Sequence, residues 1–247
     1  MTIADGRVPV ADVPGRGRKP AGVSMEIQRH GDGTPMSNRD FRAFQDRQPD
    51  GQRWELVEGT PVMMAPPKIM HQRISQNLAR LIDDALDAHD PSLTAIQAPG
   101  VDLGLGALTL AESGKASTYV PEPDIAVIED SRDPDRRIVS AAIALVEIVS
   151  STDEVVTSDG RPWVDVKASL YRMHGPCRAV LVVEQERTHI RLWERSEAGW
   201  VETLLTQPGD VLEVRCCGLR CDVADVYAKT HLAGPNRPPP SRRQGHP

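Results

Sequence analysis

Two runs of apolar residues near the middle of the chain constrain its fold more than any other feature of the sequence. The runs occupy 125–128 and 141–149, and the second contains a single charged residue, Glu147. Neither run alternates apolar and polar residues, as a strand with one exposed face would. Both therefore indicate strands that are buried on both faces, at the centre of a sheet that helices cover.

Helical patterns on both sides of these strands give the fold class. Apolar residues recur at helical spacing over about 71–88, which predicts a long helix, and a shorter helix is expected over 164–173. Further apolar strands are predicted over 178–183 and 189–193. Because helices interleave with a mixed central sheet, the predicted fold class is α/β in content and α+β in detail.

The two ends of the chain differ from its middle in composition. Residues 1–35 contain Gly, Pro and charged residues without a periodic apolar pattern, and residues 232–247 are rich in Pro and Arg. Both segments are predicted to be disordered tails. One domain is expected between them, over 36–231, because no linker long enough to divide this segment is visible.

Charge is divided unevenly along the sequence. The chain has a formal net charge of −6, with +1 on residues 1–35 and +3 on residues 232–247, so the central segment carries −10. An acidic domain is a poor electrostatic match for a generic nucleic-acid-binding protein, whose affinity comes largely from neutralising phosphates. Any contact with nucleic acid must be local, be made through the basic tails or be helped by a bound cation.

The sequence contains neither a membrane span nor a recognisable secretory signal. Its longest uninterrupted apolar run, over 141–146, has six residues, whereas a membrane helix needs roughly 18. The N-terminus lacks the charged start and apolar stretch of a secretory signal. Four cysteines, two of them adjacent, form neither a disulfide framework nor a zinc motif. We expect a cytoplasmic protein with reduced thiols and no membrane partner.

Acidic residues occur in the two central strands, where a protein core should hold none. Asp124 directly precedes the first apolar run, and Glu147 lies inside the second. A buried carboxylate without a partner costs several kcal/mol, so each acid needs a cation, a proton or hydrogen bonds. Two such acids at corresponding ends of adjacent strands favour a magnesium ion between them. The alternative is structural, with Asp124 capping a turn and Glu147 paired with a core arginine.

The predicted helix after Glu147 has two distinct faces. Its buried apolar stripe is expected to consist of Val166, Leu170 and Met173. Lys167, Tyr171 and His174 follow one another at helical spacing on the adjacent face. Lys167 on this face can point back to the Glu147 strand, although a lysine is more often solvated. Packing roles are expected for Tyr171 and His174, and His71 is expected to make a contact at the start of the long helix.

The order and spacing of these residues resemble the PD-(D/E)XK nuclease superfamily. The matching residues are Asp124 after Pro123, then Glu147 within 145–151, then Lys167 four residues before Tyr171. More narrowly, the chain is similar to the Uma-two family of restriction endonucleases. Further matches are 54–59, Pro66 and Pro67 followed by His71, 100–103 and 218–220. The resemblance covers about residues 37–228, and its short motifs are specific in combination.

The resemblance implies a core of α-β-β-β-α-β type with one composite metal site. By position, Asp124 and Glu147 would be the magnesium ligands, with manganese as a substitute. Lys167 would orient or polarise the attacking water, and Glu55 would be an auxiliary carboxylate from the N-terminal helix region. The implied activity is that of a hydrolase, an endonuclease that cleaves DNA with metal-activated water. A homodimer is an open alternative to a monomer.

Three features of the sequence depart from the superfamily pattern. The usual lysine, two residues after the glutamate, is Val149 here, so activity depends on Lys167 acting from a neighbouring helix. The segment 153–163 is looser than the compact connection of the family and could displace Lys167. Glu58 could replace Glu55 as the auxiliary acid.

Two other functions compete with DNA cleavage. One is a non-catalytic module of the same fold that binds nucleic acid or protein, which the acidic core and the displaced lysine favour. The other is an enzyme that uses the same site on a small phosphorylated compound, which fits the acidic core but has no motif in its favour.

Overall fold

The structure is a computed structural model, and it describes residues 35–49, 51–104, 108–109, 116–117, 119–130, 138–150 and 153–234. Most of the two predicted tails lies outside the described residues. Within the predicted C-terminal tail, residues 232–233 belong to a short 3-10 helix, His231–Ala233.

The α-helices of the described residues are α1 (Asn38–Gln45), α2 (Ile69–His89), α3 (Trp163–Met173) and α4 (Val223–Val226). The strands are β1 (Trp54–Val57), β2 (Thr60–Met63), β3 (Leu93–Gln97), β4 (Gly100–Val101), β5 (Leu108–Thr109), β6 (Ala116–Ser117), β7 (Ile125–Glu129), β8 (Ile138–Val139), β9 (Ala142–Ile148), β10 (Ala179–Val183), β11 (Ile190–Ser196), β12 (Gly199–Leu205), β13 (Val211–Val214) and β14 (Leu219–Asp222).

A six-stranded mixed sheet forms the centre of the molecule. Its strand order is β12-β11-β10-β9-β7-β3, and only β9 and β10 are parallel within it. The crossover between these two strands is α3, as a parallel pair requires. Along the chain, α2, β3, β7, β9, α3 and β10 give the α-β-β-β-α-β order implied by the resemblance. The predicted fold class, a mixed sheet flanked by helices, is confirmed.

Hydrophobic clusters cover both faces of this sheet. One cluster packs α2, α4 and the β13–β14 ribbon against the sheet, and the other packs α3 against the opposite face. Accordingly, all five residues of β10 and the first four of β7 are buried. In β9, six of seven residues are buried. The unbroken apolar runs of the sequence therefore correspond to strands covered on both faces, as predicted.

The two predicted helices begin and end close to the expected residues. The long helix is two residues longer at its start and one at its end, and α3 begins one residue earlier than predicted. Val166 and Leu170 are buried on α3, but Met173 is 50% exposed, so its predicted place in the buried stripe is wrong. The reason is that α3 ends at Met173 and the chain turns away there. No described helix combines the length and the apolar character that crossing a bilayer would demand.

A hairpin and a short helix extend the molecule at one end of the sheet. β1 and β2 form an antiparallel pair, and α1 packs on it through a small apolar cluster. Leu56 of β1 also exchanges both backbone hydrogen bonds with Val120, at 3.0 and 2.9 Å. This pairing attaches the hairpin to the segment that enters β7, and thereby positions Glu55 near the start of that strand.

Gly218 lies where the C-terminal end of α2 approaches the turn before β14. Its φ is +63°, and a Cβ added there would meet Cβ of His89 at 2.6 Å. Gly218→Ala is therefore expected to lower the free energy of unfolding by about 3 kcal/mol, from a strained backbone and a steric overlap. Gly160→Ala is the matched control, because its φ is +84° with no atom within 4 Å. Thermal unfolding of both variants measures the difference, and equal losses would contradict the close approach.

Candidate active site

Asp124 and Glu147 lie side by side at one end of the central sheet. β7 and β9 are antiparallel with Ile125 opposite Val146, and the N–H of Asp124 donates to the carbonyl of Val146 at 3.0 Å. Continuing this register by one residue places Asp124 opposite Glu147, with both side chains on one face of the sheet. Their exposed fractions are 7% and 1%. The structure thus brings the two predicted acids together.

Protein groups surround the carboxylate of Asp124. Its Oδ2 accepts the N–H of Ile148 at 2.8 Å and lies 3.1 Å from Nε2 of His71. Its Oδ1 lies 3.5 Å from Nη1 of Arg53. Burial opposes ionisation, but the hydrogen bond with His71 and the charges of Lys167 and Arg53 outweigh it. The pKa of Asp124 is therefore below its usual value, and the acid is ionised.

Lys167 points from α3 into the sheet, toward three carboxylates. Its Nζ lies 2.8 Å from Oε2 of Glu147 and 3.4 Å from Oε1 of Glu55. It also forms an ion pair with Oδ1 of Asp153. The side chain of Lys167 is 1% exposed, so the lysine is not a solvated surface residue. The helical face predicted to point back to the Glu147 strand does so.

The charges in this buried cluster do not balance. One ammonium faces three carboxylates, so the cluster is negative when all four groups are ionised. Burial alone would lower the pKa of Lys167, but Asp153, Glu147 and Glu55 outweigh it and raise that pKa well above its usual value. Burial also raises the pKa of Glu147 well above its usual value. The cluster thus keeps its ammonium and favours taking up further positive charge.

Glu55, rather than Glu58, is the acid of the β1–β2 hairpin that reaches this cluster. Its Oε1 accepts the N–H of Glu122 at 2.9 Å, and its Oε2 accepts the indole N–H of Trp163 at 2.6 Å. Glu58 instead accepts from the N–H of Ser158 at 3.1 Å. The expected origin of Glu55 in the N-terminal helix region is wrong, because the residue lies on β1.

Tyr171 and His174 continue the inward face of α3 but contact different groups. The hydroxyl of Tyr171 donates to Oε1 of Glu147, and burial raises the pKa of this hydroxyl well above its usual value. His174 accepts the N–H of Ala142 at 3.2 Å, and its other ring nitrogen lies 3.1 Å from the carbonyl oxygen of Leu103. Tyr171 thus belongs to the acidic cluster, whereas His174 links backbone segments.

A cavity of about 20 Å³ opens beside these groups. Its volume corresponds to about one water molecule. Its polar lining consists of Arg53, His71, Glu122, Asp124, Glu147, Ser150, Asp153 and Lys167. Asp124 and Glu147 therefore line one small opening together with the cationic side chains of Arg53 and Lys167.

The donors at this opening suit magnesium by their chemistry. Among the described residues, no group of three or more His, Cys, Asp or Glu side chains has the arrangement of a metal site. Magnesium, however, is usually held by one or two carboxylates and completed by water and substrate phosphate. Asp124 and Glu147 supply two carboxylates to one cavity with space for one small occupant. The residues present fit a magnesium ion of this kind.

A comparison with protein families agrees with this geometry. The model of the Uma2 family, described as "Putative restriction endonuclease", matches residues 39–224. The chain belongs to this family. The sequence-based resemblance is confirmed, and the matched range contains all the predicted site residues. Membership of the Uma2 family and the fold together indicate a nuclease of the restriction-endonuclease type.

Comparison with solved structures supports the fold. One similar structure is the crystal structure of "a putative nuclease belonging to DUF820" from Anabaena variabilis ATCC 29413, with a TM-score of 0.53 and 15% sequence identity. The match covers 74% of this chain and 94% of that chain. No curated protein matches the chain.

Three residues of the site were not predicted from the sequence. Asp153 follows β9 in the segment expected to be loose, yet its Oδ2 accepts the N–H and the hydroxyl of Ser150 at 2.9 and 2.7 Å. His71 is expected from the sequence only to contact the start of the long helix, and Arg53 lies outside the predicted set of site residues. An acid shortly after a buried strand and a basic residue next to Glu55 were the available signals.

The hydrogen bond from Tyr171 to Glu147 gives a stability prediction. Tyr171→Phe is expected to lower the free energy of unfolding by about 1.5–3 kcal/mol, because the lost bond is to a buried charged group. Tyr227→Phe is the control, since the hydroxyl of Tyr227 is also in the core but contacts neutral backbone groups. It donates to the carbonyls of Glu184 and His189 at 2.9 and 3.2 Å and accepts the N–H of His189 at 3.2 Å. Chemical denaturation should show the smaller loss for Tyr227→Phe, and the reverse order would contradict the assigned contact.

Proposed function

We propose that the protein is a magnesium-dependent endonuclease that hydrolyses DNA phosphodiester bonds, with manganese as a substitute for magnesium. The family and the fold support nuclease activity. The finer proposal is carried by one observation: Asp124 and Glu147 line a single small cavity beside the buried ammonium of Lys167.

The charge of the site supports a bound divalent cation. Two cations of fixed charge, Arg53 and Lys167, lie among five acids in or beside the cavity, which are Glu55, Glu122, Asp124, Glu147 and Asp153. This excess of negative charge repels a phosphodiester. With a magnesium ion held by two of the acids, most of this excess would be offset, and positive charge would lie where the phosphate binds. When bound, the ion supplies a Lewis acid for the phosphoryl oxygen and an acidified water.

Each predicted residue has a distinct role in the proposed reaction. Asp124 and Glu147 would hold the cation, and Lys167 keeps Glu147 in position and polarises the attacking water through its positive charge. Glu55, on β1 of the hairpin, pairs with the ammonium of Lys167 and accepts the indole N–H of Trp163. The water oxygen bonds to phosphorus, the bond from phosphorus to one sugar oxygen breaks, and the proton that the water loses is balanced by the one that the sugar oxygen takes up. No covalent intermediate on the protein is required.

The second candidate is a non-catalytic module of the same fold. The observation in its favour is that Lys167 already contacts three carboxylates, so the cluster is complete as a structural ion-pair network. This candidate predicts binding without cleavage. A small phosphorylated compound is a weaker candidate, because a cavity of about 20 Å³ is far below the several hundred Å³ that enclose a ligand of that kind.

A plasmid assay tests the proposed function. Supercoiled DNA is incubated with the protein and with magnesium, manganese or a chelator. A parallel reaction with an RNA substrate of equal length tests the preference for DNA. We expect nicked and linear plasmid with either metal and intact plasmid with the chelator. Asp124→Asn, purified identically, controls for a contaminating nuclease. Equal cleavage by this variant, or cleavage that persists in the chelator, would refute the proposal.

A further inference from the structure

Arg53 is a cation at the opening of the cavity, and the proposed function gives it no role in the reaction. The residue directly precedes β1 and lines the cavity together with Asp124 and Glu147. Its side chain is 29% exposed, compared with 1% for that of Lys167. Arg53 therefore reaches both the cavity and the solvent from which a substrate approaches.

Lys167 has no donor to offer a substrate in this arrangement. An ammonium carries three N–H groups, and three carboxylates lie around this one, those of Glu55, Glu147 and Asp153. A phosphate oxygen could bind Lys167 only by displacing one of these acids. The lysine thus holds the acids in place, and any cationic side chain that assists the bound magnesium at the phosphate must be a different one.

The guanidinium of Arg53 has donors to spare. Of its five N–H groups, one on Nη2 donates to the carbonyl of Glu122 at 3.3 Å. Its contacts with the carboxylates of Glu122 and Asp124 are both long, at 3.5 Å. Its buried Nε makes no hydrogen bond within the described part of the chain. A planar guanidinium with free donors matches two oxygens of one phosphate.

We propose that Arg53 binds the non-bridging oxygens of the scissile phosphate and stabilises the charge that develops on them in the transition state. This inference rests on the proposed function, since it adds a catalytic residue to the same site. Arg53 stays protonated and forms no covalent bond. The rival role is structural, in which Arg53 only neutralises Asp124 and Glu122.

Two variants of Arg53 and one control separate these roles. Arg53→Gln removes the charge, Arg53→Lys keeps the charge but not the planar fork, and Arg42→Gln is the control. Arg42 is also 29% exposed and also pairs with an acid, Asp102 at 2.9 Å, but it does not line the cavity. Single-turnover cleavage is measured with magnesium. Affinity for a fluorescent DNA duplex is measured by anisotropy with calcium, over a series of salt concentrations.

A phosphate contact makes definite predictions. Arg53→Gln should cleave at least about 100-fold more slowly, as expected for a lost transition-state donor. The slope of log affinity against log salt should become shallower by about one, which a structural role would not cause. Arg53→Lys should keep the slope and still cleave about 10-fold more slowly, since a point charge replaces a two-oxygen donor. Arg42→Gln should match the wild type in both measurements.

The failures of this inference and of the proposed function are distinguishable. If the wild type cleaves and Arg53→Gln matches it in rate and salt slope, Arg53 does not contact phosphate. If Arg53→Gln fails to fold, Arg53→Lys decides, and full wild-type cleavage by that variant overturns the inference. If the wild type binds DNA without cleaving it, the proposed function fails, while the salt slope still tests the contact made by Arg53.

Discussion

Replacing Glu147 by glutamine is expected to abolish magnesium-dependent cleavage of DNA. The amide keeps the shape of the side chain; its oxygen can accept from Lys167 and its NH2 can donate to the hydroxyl oxygen of Tyr171, so the fold should survive. A neutral amide is a poor magnesium ligand, because magnesium prefers carboxylate oxygens. Loss of a group that only supports a metal ligand already reduces activity roughly 10- to 100-fold. We therefore expect Glu147→Gln to cleave plasmid more than about 100-fold more slowly than the wild type.

Glu58→Gln is the control for this variant. Glu58 is an acid in the turn of the β1–β2 hairpin, but it contacts Ser158 and does not line the cavity. It should cleave at the wild-type rate. Cleavage by Glu147→Gln at a rate close to that of Glu58→Gln would remove Glu147 from the metal site.

Lys167→Met is expected to cause the largest loss of stability. The methionine fills a similar volume, but three buried carboxylates lose the cation that they share. Breaking a buried ion pair from one side costs about 3–5 kcal/mol. For a domain of this size that lowers the melting temperature by about 10 °C, which circular dichroism measures directly.

Lys68→Met provides the contrast between a buried and an exposed lysine. Lys68 also forms an ion pair, with Glu186 at 2.9 Å, but both side chains are about two-thirds exposed. Its replacement should leave the melting temperature almost unchanged. Adding Glu55→Gln to Lys167→Met should restore part of the lost stability, because one uncompensated carboxylate is removed. A loss in Lys167→Met no larger than in Lys68→Met would show that the cluster is not held by this ammonium.

The sheet could be predicted from the sequence where its strands are buried on both faces. β7, β9 and β10 are uninterrupted apolar runs, and such runs have few alternatives in a chain with helices on either side. β3 and β14 were not predicted. Each strand has a single buried residue, so neither shows the alternation of buried and exposed residues that identifies a strand with one exposed face. Their places depend on tertiary pairing with β7 and β13.

The site was predictable to the extent that its residues violate local rules. Asp124 and Glu147 are acids in apolar strands, and that contradiction identifies them without any structure. Tyr171 and Asp153 do not violate such a rule, because a tyrosine on a helix and an acid in a loop are ordinary. Their contacts arise when α3 crosses the sheet and the segment after β9 folds back onto it. The catalytic roles, the homodimer and the cytoplasmic location stay predictions.

Binding of a single divalent ion by Asp124 and Glu147 together is the central claim. Manganese is paramagnetic, so electron paramagnetic resonance counts the bound ions directly while magnesium competes for them. We predict one manganese per chain in the wild type and in Glu58→Gln, displacement by magnesium, and no bound manganese in Asp124→Asn or Glu147→Gln. Manganese binding that persists unchanged in both of these variants, or a wild-type protein that binds none, would contradict the claim.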